Sequence, residues 1–302
     1  MNLLQLIQAT TNELGLTPVT YVVGNPDRLV TQYLALANQI GQRIATDYEW
    51  EKMDKTHTFT VQTTTQNGNV VDGSAVITGL TDTTGIAADT WQLTGAGIQQ
   101  ASYVQSVDSA TQVTMNLPAT QTESDTPITI TQTAYDLPTD WNYDVNRTAW
   151  DRLNHWELVG PKSAQEWQWM LSGIVAAGPR IRYRILDDKF QIWPLVVSNS
   201  LIAYEYISTS WVKALGDTSP SKSAFTVDTD TSVFRDRLLI AGIKKTLFEI
   251  KGFDSTAFQR EYDRELEKAQ SQDAGSPTLS LAPRYDNILI SPANIQDGYF
   301  PS

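Results

Sequence analysis

Two histidines, thirty-four carboxylates and no cysteine are what this 302-residue chain offers for chemistry. The absence of cysteine excludes disulfides, thiolate nucleophiles and cysteine-based zinc sites. His57 and His155 are the whole supply of imidazole for general-base catalysis, and both lie in apolar or strand-like surroundings that predict structural roles. The carboxylates are abundant, but no two stand out at the spacing that glycoside hydrolysis requires. Gly95-Ala96-Gly97 begins like a dinucleotide loop, yet Gln100 replaces the third glycine and no helix follows, so a β-turn is expected. Asp228-Thr229-Asp230-Thr231-Ser232 begins like a calcium loop. Val233 then stands where the sharp-turn glycine belongs and Leu239 where the bidentate glutamate belongs, so the segment predicts a polar turn capping the next helix. Gly160-Pro161-Lys162-Ser163 lacks the earlier glycine of a phosphate loop and predicts a loop with a helix cap. Trp141, Trp150, Trp156, Trp167 and Trp169 fall within thirty residues. They suit a sugar platform, but their expected helical context favours core packing or subunit contact. No catalytic residue, cofactor or metal site is assigned, and the chain is not expected to be an enzyme.

Charge divides the sequence. Thr56–Asn146 contains no Lys or Arg and carries Asp72, Asp82, Asp89, Asp108, Glu123, Asp125, Asp136, Asp140 and Asp144, nine of the twelve net negative charges. Residues 1–55 hold four basic and six acidic side chains, and 147–302 hold eighteen and nineteen. A net charge of −12 argues against general affinity for nucleic acid, although not against a protein that DNA merely passes. With 41% hydrophobic residues the chain can bury a core. No run approaches the roughly 20 apolar residues of a membrane span, and the first residues lack the basic and apolar pattern of a signal peptide, so neither anchor nor leader is expected.

The elements that would position these residues are mostly helical outside the acidic stretch. Asn2 caps a helix that ends at Gly15; Asn25 and Pro26 open a second that reaches about Trp50, with Leu29, Tyr33, Leu36, Ala37, Ile40 and Ile44 on one face. Trp141, Val145, Ala149 and Leu153 predict a helix over 140–155, and Ser163 with Glu166 forms a capping box for a short one at 164–171. Two closing helices are expected at 232–251 and 255–271. Between them, 181–193 reads as a hairpin around Asp187-Asp188, with a third strand at 200–208. From His57 to Thr133 the period is two, with β-branched runs and Gly turns, and Thr58–Val61 is expected to pair with Ile128–Thr131. The fold class is therefore α+β. A helical-bundle host (1–57 and 134–271) carries a small antiparallel hairpin or meander and an inserted all-β sandwich or barrel (58–133), and 272–302 forms an extended, proline-punctuated tail.

The order of these pieces resembles the head-to-tail adaptor (connector) proteins of tailed bacteriophages, the group that includes the tail tubular protein A type of short-tailed phages. The resemblance rests on the helix, Leu-Gly-Leu, loop, Asn-Pro-Asp, helix, Trp pattern of Asn2–Trp50. It continues with Tyr135-Asp136-Leu137-Pro138-Thr139-Asp140, Thr148-Ala149-Trp150-Asp151-Arg152 and Ser163-Ala164-Gln165-Glu166-Trp167. It runs on through the Arg184–Pro194 hairpin, Ala203-Tyr204-Glu205-Tyr206-Ile207-Ser208 ahead of Trp211, and Phe225-Thr226-Val227-Asp228-Thr229-Asp230-Thr231 before the last helix pair. The simplest adaptors lack an insert of this kind.

The resemblance implies a non-enzymatic virion protein of the phage neck, made in the host cytoplasm. It implies a homo-oligomeric ring, dodecameric, between the portal and the tail nozzle, with a channel through which the genome is ejected without specific binding. On that reading Asp140 and Asp144 are expected to face the channel, where acidic walls repel phosphate. In the tail, Ile288, Leu289, Ile290, Tyr299 and Phe300 are expected to anchor onto the portal or an adjacent subunit, since an exposed strand-forming run needs a partner. A carbohydrate- or receptor-binding tail protein, suggested by the β module and tryptophans, and a cell-wall-degrading enzyme, suggested by the carboxylates alone, are the competing classes.

Overall fold

A computed structural model gives the fold and describes residues 1–171, 180–194 and 200–273. It opens with helices α1 (Leu3–Glu13) and α2 (Arg28–Asp47). Strands follow: β1 (Asp54–Thr60), β2 (Thr63–Val70), β3 (Val76–Ile77), β4 (Trp91–Gly95), β5 (Val104–Ser109), β6 (Gln112–Met115) and β7 (Glu123–Gln132). Next come β8 (Ala134–Asp136), β9 (Trp141–Asp144), β10 (Trp150–Asp151), β11 (Trp156–Glu157) and helix α3 (Ala164–Leu171). After them are β12 (Arg182–Leu186), β13 (Lys189–Trp193), β14 (Leu201–Ser208), β15 (Val212–Lys213) and β16 (Thr231–Ser232). Helices α4 (Asp236–Lys251) and α5 (Thr256–Ser271) complete the described chain.

Among the described residues the strands form five small antiparallel sheets, with orders β1-β14-β10-β11 (β9 also on β14), β12-β13-β8, β15-β16, β2-β7-β4 and β3-β6-β5. This overturns the expected helical-bundle host: among the described residues the protein is mostly sheet, with five α-helices. The largest single error is 140–155, where the apolar spacing predicts a helix and the chain instead forms β9 and β10. Arg147 (φ 66°) and His155 (φ 56°) sit in the left-handed region, which a right-handed helix cannot contain. The aromatic residues of Trp141-Asn142-Tyr143-Asp144 suit a strand, and β9 pairs with β14 (Tyr206↔Asp144, Ile207↔Tyr143).

By contact the chain divides into two compact units. One takes in 1–55, 140–144 and 206–273 of the described residues, and the other 56–139, 145–171, 180–194 and 200–205.

In the first unit the helix signals hold well. Asn2 Oδ1 accepts from Gln5 N at 2.9 Å and Gln5 Oε1 accepts from Asn2 N at 3.2 Å, a reciprocal capping box. For α2 the cap is Asp27, whose carboxylate accepts from Leu29 N at 2.8 Å; Asn25 instead accepts from Asp27 N and shapes the turn before it. Helix α4 packs against α1, α2 and α5 and buries residues from Leu238 to Leu247 on most of its circumference. Around it Trp50, Trp211, Phe225 and Phe234 interlock, with Trp211 centred 5.0 Å from Phe225 and 5.8 Å from Phe234. The indole of Trp211, fully buried, lies flat against α2 at Gly41: a Cβ there would come within 2.0 Å of the ring. Only glycine admits that approach.

Two of the cores in the second unit frame its sheets. Val70, Ile77, Leu93, Val104, Val113, Ile128 and Ile130 are all fully buried in a cluster drawn from β2 to β7. In this region β7 pairs with β2 (Thr63↔Thr131) and β4 (Leu93↔Ile130), whereas β1, expected as its partner, pairs with β14. The second core is aromatic: Tyr183, Phe190 and Tyr204 stack at 4.8 and 4.7 Å. The hairpin of β12 and β13 turns at Asp187 and Asp188 (φ 53° and 54°), as its sequence predicts, but its third strand is β8 rather than β14.

Candidate functional site

Most of the suspected motifs take structural places. His57 lies between Phe59 (6.3 Å) and Tyr204 (5.4 Å) in the aromatic core. Gly97 (φ +74°) ends β4 in a turn. Asp228 accepts from Val22 N and Val23 N at 3.0 and 2.8 Å. Asp230, fully buried, accepts from Lys222 Nζ at 2.8 Å and from Thr226 N and Val227 N at 2.8 and 2.9 Å. Burial alone would raise the Asp230 carboxyl pKa, but these donors hold it below the ordinary carboxylate range. The segment is a polar turn, as expected, but it does not cap α4, whose N-cap position is Arg235. Ser163 and Glu166 cap α3 reciprocally at 3.3 Å. Among the described residues no group of His, Asp and Glu could hold a metal ion, and no helix is long and apolar enough to cross a membrane.

Of the two acids expected at a channel wall, Asp140 is the centre of a half-buried network. Lys55 Nζ donates to its Oδ2 at 2.5 Å and to Pro220 O at 2.8 Å. Tyr206 OH donates to Oδ1 at 2.8 Å and Ser208 Oγ to Oδ2 at 2.6 Å. Desolvation pushes its pKa up, and the Lys55, Ser208 and Tyr206 donors outweigh that and lower it. Burial together with the Asp140 carboxylate pushes the Tyr206 phenol well above its usual range. The carboxylate is matched by a cation that the sequence places eighty-five positions away. Asp144 ends β9 opposite Tyr206 and is half-buried. Ile288, Leu289, Ile290, Tyr299 and Phe300 lie outside the described residues.

Of the five clustered tryptophans, Trp141, Trp150 and Trp156 stand on strands and Trp167 and Trp169 on α3. Trp167 is buried with Met170 and Trp193, while Trp169 is 62% exposed.

A cleft of about 630 Å³ in the second unit gathers residues that the sequence analysis did not connect. It is lined by Arg147, Thr148, Trp150, Arg152, His155 and Glu205, among others. Register explains the grouping. Trp150 faces Ala203 and Glu157 on the neighbouring strands, and Asp151 faces Ile202 and Trp156. Since side chains alternate, Thr148, Trp150 and Arg152 share one side of the sheet with Leu201, Ala203 and Glu205, while Asp151, Ile202 and Tyr204 fall on the buried side. Asp151 is 3% exposed and accepts from Leu153 N, Asn154 N and Asn154 Nδ2 at 2.9, 3.2 and 2.7 Å, which fixes the turn carrying Arg152 and His155. Arg147 donates through Nε to Glu157 at 3.0 Å. The alternating patterns Thr148-x-Trp150-x-Arg152 and Leu201-x-Ala203-x-Glu205 were visible as sequence, but the 140–155 stretch reads as a helix on apolar spacing, which hides the first of them.

The family model described as SU10 adaptor protein matches residues 102–283, well over half of the chain. No curated protein matches it.

Proposed function

From the premise that the chain belongs to the SU10 adaptor protein family, a group of phage structural adaptors, we propose that it acts as a head-to-tail connector of the virion. The single observation that carries this reading is the family match over 102–283, which takes in part of the β2–β7 region, the β8–β14 strands and both closing helices. On this proposal copies of the chain close into a ring, dodecameric, between the portal and the tail nozzle, in the manner of the tail tubular protein A type, and DNA leaves through the ring. Closed rings come from one heterologous contact repeated about an axis. The channel wall is proposed to be acidic, because Lys and Arg would hold phosphate by releasing its counterions. Asp140 and Asp144 are the residues to test there.

Two further parts of the proposal concern organisation. Residues 58–133 are proposed as a module that folds without the rest; the pairing of Thr63 with Thr131 supports this, because it brings the two ends of the excisable segment together. Residues 272–302 are proposed to anchor the ring through Ile288, Leu289, Ile290, Tyr299 and Phe300. Negative-stain imaging of the purified protein, alone and mixed with its portal, tests the assembly. The expected result is a ring on the portal that is lost on truncation after Ser271 and kept when 63–131 is replaced by a short Gly-Ser linker. A small tight dimer indifferent to the portal contradicts the connector reading.

A further inference from the structure

We propose that the cleft on the β10–β14 face is a saccharide-binding site for an elongated, uncharged or zwitterionic oligosaccharide. This goes beyond the connector role and does not depend on it.

Four observations point the same way. The volume, about 630 Å³, lies within the roughly 300–1,000 Å³ of small-ligand sites. Trp150, half-buried, lines the cleft with the small Ala203 directly across from it on the neighbouring strand. A pyranose presents an apolar face to such a ring while its hydroxyls stay at the rim. At the two ends of the Trp150–Ala203 pair are groups of opposite hydrogen-bonding character. The exposed guanidinium of Arg152 has no hydrogen bond or ion pair among the described residues, and the same holds for the carboxylate of Glu205. Arg152 N donates to Leu201 O, so Arg152 stands level with Leu201; Glu205 is four residues further along β14. At about 3.3 Å per residue that places the two backbone positions roughly 13 Å apart, the length of two to three sugar rings. His155 lines the cleft beyond the Arg152 end.

The rim is held rather than loose. Arg147 and His155 both keep left-handed backbones, and Asp151 ties down the turn between β10 and β11 from the buried side. Non-glycine residues in that region are costly and recur at ligand sites, where the surroundings enforce them. A preformed rim lowers the ordering cost of binding.

The charge pattern decides the ligand class. Arg147 is matched by Glu157, and the cleft then presents Arg152 against Glu205, so it carries no cationic surplus. A polyphosphate or nucleic-acid strand would meet the Glu205 carboxylate; a polyhydroxyl ligand uses the donors of Arg152 and the acceptors of Glu205 together.

The test uses the full-length protein against an immobilised array of bacterial surface and peptidoglycan oligosaccharides, followed by calorimetry with each hit and with a single-stranded DNA oligonucleotide. Binding to one or more di- to tetrasaccharides is expected. It should be weakened at least tenfold by Trp150→Ala, which removes a half-buried indole, and by each of Arg152→Ala and Glu205→Gln, which alter exposed side chains. Trp150→Phe should retain part of the affinity, and Trp169→Ala, on α3 outside the cleft, should leave it unchanged. Absence of any saccharide binding, binding that survives Arg152→Ala and Glu205→Gln, or binding of the DNA oligonucleotide in this cleft overturns the proposal.

Discussion

In the helical unit several carboxylates meet a cation; in the β2–β7 region those of Asp82, Asp108 and Asp125 meet hydroxyls and amides. Lys244, 6% exposed on α4, donates to Glu13 Oε2 at 2.8 Å and to Glu261 Oε2 at 2.9 Å, while Arg237 also donates to Glu13. Lys55 matches Asp140 and Lys222 matches Asp230 in the same unit. In the cation-free stretch, Asp108 accepts from Thr114 Oγ1, Ser106 Oγ and Gln112 Nε2 at 2.7, 2.8 and 3.3 Å. Asp125 accepts from Asn67 Nδ2 at 3.0 Å, and Asp82 from Thr84 N at 2.9 Å. Both devices depress carboxylate pKa values: Asp108 through Thr114 first, Glu13 through Lys244 first. They differ in what they leave behind. Ion pairing cancels the charge, whereas neutral donors stabilise it locally and leave the region uniformly negative, so the two should answer differently to mutation, acid and salt.

The comparison breaks most completely at the buried side chains. Trp211→Ala removes a fully buried indole from the helical unit and should cost about 4 kcal/mol. Hydrogen exchange should then show α2 and α4 losing protection while β2, β4 and β7 keep theirs. Ile130→Ala, in the other core, should cost about 3 kcal/mol and give the reverse pattern. Simultaneous loss of protection in both regions for either variant would mean that they unfold as one.

Smaller effects separate the two electrostatic devices. Lys244→Met leaves Glu13 and Glu261 without their shared cation. Breaking a buried pair costs about 3–5 kcal/mol, but these glutamate side chains are 33% and 42% exposed, so about 2 kcal/mol is expected at pH 7 from denaturant unfolding. The pH dependence follows from the Glu13 shift. Its folded pKa is lowered, so its contribution is present above the ordinary carboxylate pKa and disappears as pH falls through the folded value. In Lys244→Met the largest cause of that depression is gone and only Arg237 remains, so the difference between variant and parent should narrow as pH drops below about 4.5. A difference that stays constant down to pH 3 would show that Lys244 acts by packing alone.

The smallest effect is the most discriminating. Raising salt from about 0.05 to 0.5 M shortens the screening length severalfold. Melting of the helical unit should fall slightly as its ion pairs weaken, and that of the β2–β7 region should rise slightly as its aspartates repel one another less, each by under about 1 kcal/mol. Shifts of the same sign in both would contradict the distinction.

What the sequence disclosed follows from how local each signal is. Asn2, Gly15 and Ser163 announce helix ends through bonds made within a few residues, and α1, α3, α4 and α5 lie close to where they are expected. The Asp187-Asp188 turn is equally local. The host's fold class was misjudged because β9, β10 and β11 are two to four residues long and exist only through β14 and each other. Their tryptophans and aliphatics happen to recur at helical intervals, and nothing within the stretch reports the distant partner. The cleft was hidden for the same reason: Trp150 and Glu205 become neighbours only once β10 lies against β14. Lys55 as the partner of Asp140 was equally out of reach, since the cation lies just outside the stretch whose lack of cations is its plainest property.

The contact between Gly41 and Trp211 has a consequence for how this sequence can drift. A hydrogen atom is the largest substituent the indole tolerates at 41, and the indole is too large to be replaced by neighbouring side chains of ordinary size. The two positions, 170 apart in the chain, therefore behave as a lock and its blank: neither can be recut alone. Across relatives, a bulkier residue at the position of Gly41 should coincide with a smaller one at that of Trp211, and chains bearing only one of the changes should be missing. That paired absence would be readable from an alignment without a further structure.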